Sequence, residues 1–88
     1  MSDEHIKPSM YDVANEFVDL ANELSLTDKS GNIGVGLRYA AARYSAFEAS
    51  MHAENLAADK EAVIEMYLDD YRRMLSDNID DYIRHASN

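Results

Sequence analysis

Cysteine is absent from the 88 residues, and with it go disulfide frameworks, thiolate zinc sites and dithiol redox chemistry. Tryptophan is absent as well, and proline occurs once, at Pro8. The three glycines, Gly31, Gly34 and Gly36, fall within one short stretch. No apolar run approaches the roughly 18 residues that a membrane span requires. The chain opens Met1-Ser2-Asp3-Glu4, acidic where a secretory leader would be basic. Basic residues are scarce too: 8 Lys and Arg against 17 Asp and Glu give a net charge of −9. A chain so charged is repelled by nucleic-acid backbones and anionic membrane surfaces. These absences together lead us to expect a soluble, cytoplasmic protein that has neither nucleic acid nor membrane as a partner.

What is present is helical periodicity. From Asn32 to Asn55, apolar side chains recur at Ile33, Leu37, Ala40, Tyr44, Phe47 and Met51, in steps of three and four that keep them on one side of a helix. Much of the remainder is small: Gly34, Gly36, Ala41, Ala42, Ser45, Ala46, Ala49, Ser50 and Ala53. Such a helix lets neighbouring backbones approach on more than one side, so it belongs in the middle. The charges agree. Residues 1–30 sum to −5, residues 31–58 to zero and residues 59–88 to −4, as expected if two outer helices show polar faces to water around a covered one.

In chain order, residues 1–8 read as a flexible arm ending at Lys7-Pro8, with Ser9 the N-cap of a first helix and Asp12 completing a capping box. That helix is predicted over 9–25, with Met10, Val13, Ala14, Phe17, Val18, Ala21 and Leu24 on one face. Thr27-Asp28-Lys29-Ser30-Gly31-Asn32 gathers turn formers and marks the first connection. A second, weaker break at Leu56-Ala57-Ala58-Asp59 lacks both Gly and Pro, and Asp59 is the expected cap of the third helix. A continuous or bent helix through it is the alternative. The third helix is predicted over 59–84, with a stripe of Val63, Ile64, Tyr67, Leu68, Tyr71, Leu75, Ile79 and Tyr82. Asp69 with Arg73 and Asp80 with Arg84 are spaced for helix-surface ion pairs. The pattern shows no internal repeat, low-complexity tract or linker.

The expected fold class is therefore all-α: a single domain over 1–88, built as a three-helix antiparallel bundle with a short first helix and two longer ones. At about 1.5 Å per residue the first helix is too short to cover the long hairpin. Folded back beside the start of helix 2, it leaves the far end open, near Met51, Leu56, Val63, Ile64 and Tyr67. Apolar side chains gathered there suggest an association surface for a homodimer or another protein. A chain of this size gains little net stability from its own core, which points the same way.

Candidate chemistry is sparse. Arg38 and Arg43 stand in the neutral middle helix, where each is expected to meet carboxylates of the outer helices or to reach water past the small residues. The competing reading is contact with an anion or small ligand, although five residues separate them by about 140° around the helix, too far apart for one clamp. Glu48 with His52, and Asp81 with His85, have the i, i+4 spacing of two-ligand metal faces. The Glu-x-x-His motifs of di-iron bundles are missing, so solvated helix pairs are the expectation. His52-Ala53-Glu54 lacks the cysteines a zinc deaminase needs. The glycines follow no strand and precede no Lys, unlike a phosphate loop. No nucleophile, base and orienting acid fall together. No cofactor and no catalytic residue is assigned, and the leaning is away from an enzyme. Six tyrosines and five methionines suit the boundary between core and water, with Tyr67 also suited to a partner.

The segment Val35-Gly36-Leu37-Arg38-Tyr39-Ala40-Ala41-Ala42-Arg43-Tyr44-Ser45-Ala46-Phe47 resembles the centre of domain-of-unknown-function family 3144, a group of short bacterial proteins. Flanking stretches at 15–23, Asn-Glu-Phe-Val-Asp-Leu-Ala-Asn-Glu, and at 74–83, Met-Leu-Ser-Asp-Asn-Ile-Asp-Asp-Tyr-Ile, extend the resemblance over nearly the whole chain beyond the arm. It implies a small helical protein with no established activity and transfers no catalytic residue. The residues themselves point to a non-enzymatic interaction or adaptor module that self-associates, with small-ligand or anion binding through Arg38 or Arg43 as the alternative.

Overall fold

The computed structural model describes residues 9–87, in which three helices follow one another: α1 (Met10–Ser25), α2 (Asn32–His52) and α3 (Leu56–Ser87). The all-α class with three helices, the first the shortest, is the one expected. At 16, 21 and 32 residues they are about 24, 32 and 48 Å long. The arm expected over 1–8 lies outside the described residues.

Local chemistry explains where each helix starts. Ser9 is extended and forms the predicted capping box with Asp12: the Asp12 amide donates to Ser9 Oγ at 3.1 Å and the Ser9 amide to Asp12 Oδ2 at 3.2 Å. Two orphan donors of the first turn are thereby satisfied. At the other end, Lys29 Nζ donates to the Ser25 carbonyl at 2.8 Å and brings a cation to the negative pole of α1. The chain then turns on Asp28, whose Oδ1 accepts from the Ser30 amide at 2.9 Å and from its hydroxyl at 2.6 Å. Ser30 Oγ in turn accepts from the Asn32 amide at 3.2 Å, opening α2. Gly31 has a φ of 89°, a left-handed conformation open to glycine and strained for any residue bearing Cβ.

The second connection differs from expectation. Helix stops at His52 and resumes at Leu56, so α2 and α3 are separate, and the break is three residues, Ala53-Glu54-Asn55. The cap of α3 is Asn55 rather than Asp59: Asn55 Oδ1 accepts from the Ala58 amide at 3.1 Å, and its carbonyl accepts from the Asp59 amide at 3.0 Å. Leu56-Ala57-Ala58 are good helix formers and continue the helix backward until a better cap is met. Asp59 falls in the first turn, where its charge favours the helix pole.

Packing divides the described residues into two compact units, with the boundary inside α2 between Ala42 and Arg43. In the first, the half-covered side chains, Ala21, Ser25, Asp28 and Ile33, gather around the α1–α2 turn. In the second they gather around the α2–α3 turn: Ser45, Glu48, Ala53, Val63 and Tyr67, with Ala49 the one buried side chain among the described residues. Small residues on α2 permit close helix approach there. Each unit is a helical hairpin covered near its bend and open along its arms.

Candidate functional site

Exposure is the dominant property of this molecule. Along α1, Met10, Phe17, Val18, Leu20 and Leu24 are each about half exposed or more. Along α3 the contrast is internal. Val63 and Tyr67 are half-buried beside the arm of α2, whereas Leu68, Tyr71, Leu75, Ile79 and Tyr82 are 45–79% exposed. In the second unit α2 contributes only residues 43–52, about 15 Å of helix against the 48 Å of α3. The shorter arm runs out before the apolar stripe does. A shallow groove follows α3 there, lined by that helix alone, with Leu68, Tyr71, Leu75 and Ile79 flanked by Glu65 and Arg72.

The polar side of α3 is self-sufficient. Asp70 pairs with Arg73 and Asp81 with Arg84, each three residues apart, in place of the expected Asp69–Arg73 and Asp80–Arg84 pairs at four. Each arginine has acids at both spacings and takes the nearer. Such exposed pairs add a few tenths of a kcal/mol, on the order of 0.3–0.5 each. His85 Nδ1 lies 2.6 Å from the Asp81 carbonyl, so the side chain of Asp81 turns to Arg84 and not to the histidine. Glu48 is likewise engaged: the Tyr67 hydroxyl donates to its Oε1 at 3.3 Å. Loss of solvation, then the charge of Glu48, holds the Tyr67 phenol above its ordinary pKa. Among the described residues no group of three or more His, Asp and Glu could hold a metal ion.

The remaining residues singled out from the sequence can be placed. Arg38 and Arg43 are both exposed, and neither forms an ion pair among the described residues. The Arg38 guanidinium lies over Gly34, 3.6 Å from where a Cβ would stand. Of the residues expected at the open tip, Met51 is 63% exposed, while Leu56 and Ile64 are just over one-third exposed and Val63 and Tyr67 are half-buried. The distal half of α3 is more open than this tip. Sequence periodicity had marked its stripe correctly but carried no sign of which part would be covered. The Tyr67–Glu48 bond, spanning 19 residues, had no local signal at all.

The architecture defines a class: a small all-α protein of three helices whose apolar faces are largely open. Its family follows from a match over residues 10–83 to the family described as Protein of unknown function (DUF3144), and the chain belongs to that family. Neither the curated proteins nor the solved structures contain a match to it. No described helix is long and apolar enough to cross a membrane.

Proposed function

We propose that this protein is a non-enzymatic interaction module whose working form is self-associated, a homodimer acting as a cytoplasmic adaptor. One observation carries the reading: all three helices have apolar faces, yet Ala49 alone is buried among the described residues. Two dozen large apolar side chains remain open to water, far more than a soluble monomer needs or tolerates. A small domain whose own core yields little net stability has much to gain from a second copy, because association removes the same kind of surface that a core would. Tyrosine and methionine among the exposed positions suit an interface in which packing must adapt.

Binding of a small anion by Arg38 or Arg43 is the second reading, favoured by the lack of ion-pair partners for either among the described residues. Their exposure offers an anion little beyond a surface charge, so association is the stronger proposal.

The test is sedimentation velocity together with helical circular dichroism over about a hundredfold dilution. A mass that is a multiple of 9.9 kDa, with helix content falling as the assembly dissociates, is the expected result. A chain that stays monomeric and fully helical at every concentration would overturn the proposal.

A further inference from the structure

Along α3 the sequence corresponds to itself at a shift of eleven residues. Ile-Glu-Met-Tyr-Leu-Asp-Asp-Tyr-Arg-Arg-Met at 64–74 aligns without a gap with Leu-Ser-Asp-Asn-Ile-Asp-Asp-Tyr-Ile-Arg-His at 75–85. Asp-Asp-Tyr-x-Arg is retained in both, and the apolar positions before it, Ile64 and Leu68, return as Leu75 and Ile79. The scale is three helical turns, too short to register as a domain repeat. The structure repeats it as well: the ion pair Asp70–Arg73 in the first copy is Asp81–Arg84 in the second.

Eleven residues turn an α-helix by three revolutions plus about 20°, so corresponding side chains stay almost in line. Ile64, Leu68, Tyr71, Leu75, Ile79 and Tyr82 consequently share an arc of about 80° along roughly 27 Å. The two ion pairs lie on the opposite side and leave this stripe free of charge.

We infer that this face of α3 pairs with the same face of a second copy, the two helices running antiparallel about a two-fold axis near residue 73. The inference rests on the self-association proposed above and assigns its surface. Three observations support a second copy as the occupant. The first is area: six side chains of this size, mostly about half exposed, present on the order of 100 Å² each. With the flanking residues this approaches the roughly 800 Å² per partner of a stable interface. The second is symmetry. A surface made of two equivalent halves meets its own complement under a two-fold axis, the first half of one copy lying on the second half of the other. The third is size matching. Antiparallel pairing sets Ile64 level with Tyr82 of the second copy and Tyr71 level with its Leu75, aromatic against aliphatic at both, while Leu68 comes within one residue of the level of its Ile79. Parallel pairing would stack tyrosine on tyrosine and align the helix dipoles unfavourably.

The natural lack of cysteine makes the test direct. An equal mixture of Tyr71→Cys and Leu75→Cys chains, mildly oxidised, is expected to form a mixed disulfide dimer. Tyr82→Cys alone should cross-link at least tenfold less, since the two sites would stand about 27 Å apart along the axis. Equal cross-linking by Tyr82→Cys would overturn the antiparallel arrangement. If wild-type protein is an oligomer and neither preparation cross-links, the α3 surface is wrong and self-association stands. A monomeric wild type would remove both, and light scattering on the unmodified chain distinguishes that case.

Discussion

The two bends solve the same problem by different chemistry. Between α1 and α2 the chain is held by polar contacts local in sequence: Asp28 receives two hydrogen bonds from Ser30, Lys29 covers a helix carbonyl, and Gly31 supplies the left-handed step. Between α2 and α3 the connection is three residues with one cap, and packing takes over, with Ala49 buried and Tyr67 bonded across to Glu48. Where turn chemistry sets the direction of the chain, the helices beyond it need little contact. Where it does not, small side chains must let the helices touch. Neither bend covers the helices far from it, and that is why so much apolar surface is left exposed.

Substituting at each bend tests this contrast. The largest effect is expected at the packed one: Ala49→Leu forces bulk into the one position buried among the described residues and should lower stability by about 1–3 kcal/mol, read by urea melts. Gly31→Ala at the polar bend is expected to cost about 1–2 kcal/mol, through backbone strain alone because a Cβ there meets open space. If the two costs were reversed in order, the division between packing and turn chemistry would fail.

The bends should also part company with pH. Hydrogen bonds from the Ser30 hydroxyl and then its amide hold Asp28 below the ordinary carboxylate pKa. Its stabilising contribution is complete above the unfolded carboxylate value and is lost as pH falls through the folded one. Asp28→Asn should therefore flatten part of the acid limb of a stability profile. Tyr67 shifts the other way, upward. Its contribution is complete below the unfolded phenol value, about 10, and disappears as pH rises through the folded one. Tyr67→Phe should flatten part of the alkaline limb and lower stability slightly at neutral pH, the smallest effect of the set. Melting curves of both variants from acid to alkaline pH would show whether each limb belongs to its own bend.

Helix positions were legible because capping and periodicity are local: Ser9 with Asp12, the turn formers from Thr27 to Asn32, and the stripes of α1 and α3 could all be read directly. The end of α2 was less so. Asn55 and Asp59 are both competent caps, and the choice between them depended on Leu56-Ala57-Ala58 joining the helix. The candidate surface was half legible. Its apolar residues were named, including Leu68, Tyr71, Leu75, Ile79 and Tyr82, but the open region was expected at Met51, Leu56, Val63, Ile64 and Tyr67, because helix lengths alone say nothing about where packing stops.

The sequence by itself determined an all-α chain of three helices with the first the shortest, the first turn and the family, since each depends on interactions within a few residues or on a linear match. Tertiary structure alone decided that coverage concentrates at the bends, that Glu48 serves Tyr67 and not His52, and that the distal face of α3 stays open. Those outcomes depend on which side chains meet across long separations in the chain, where the burial of one face competes with that of another and no local pattern records the result.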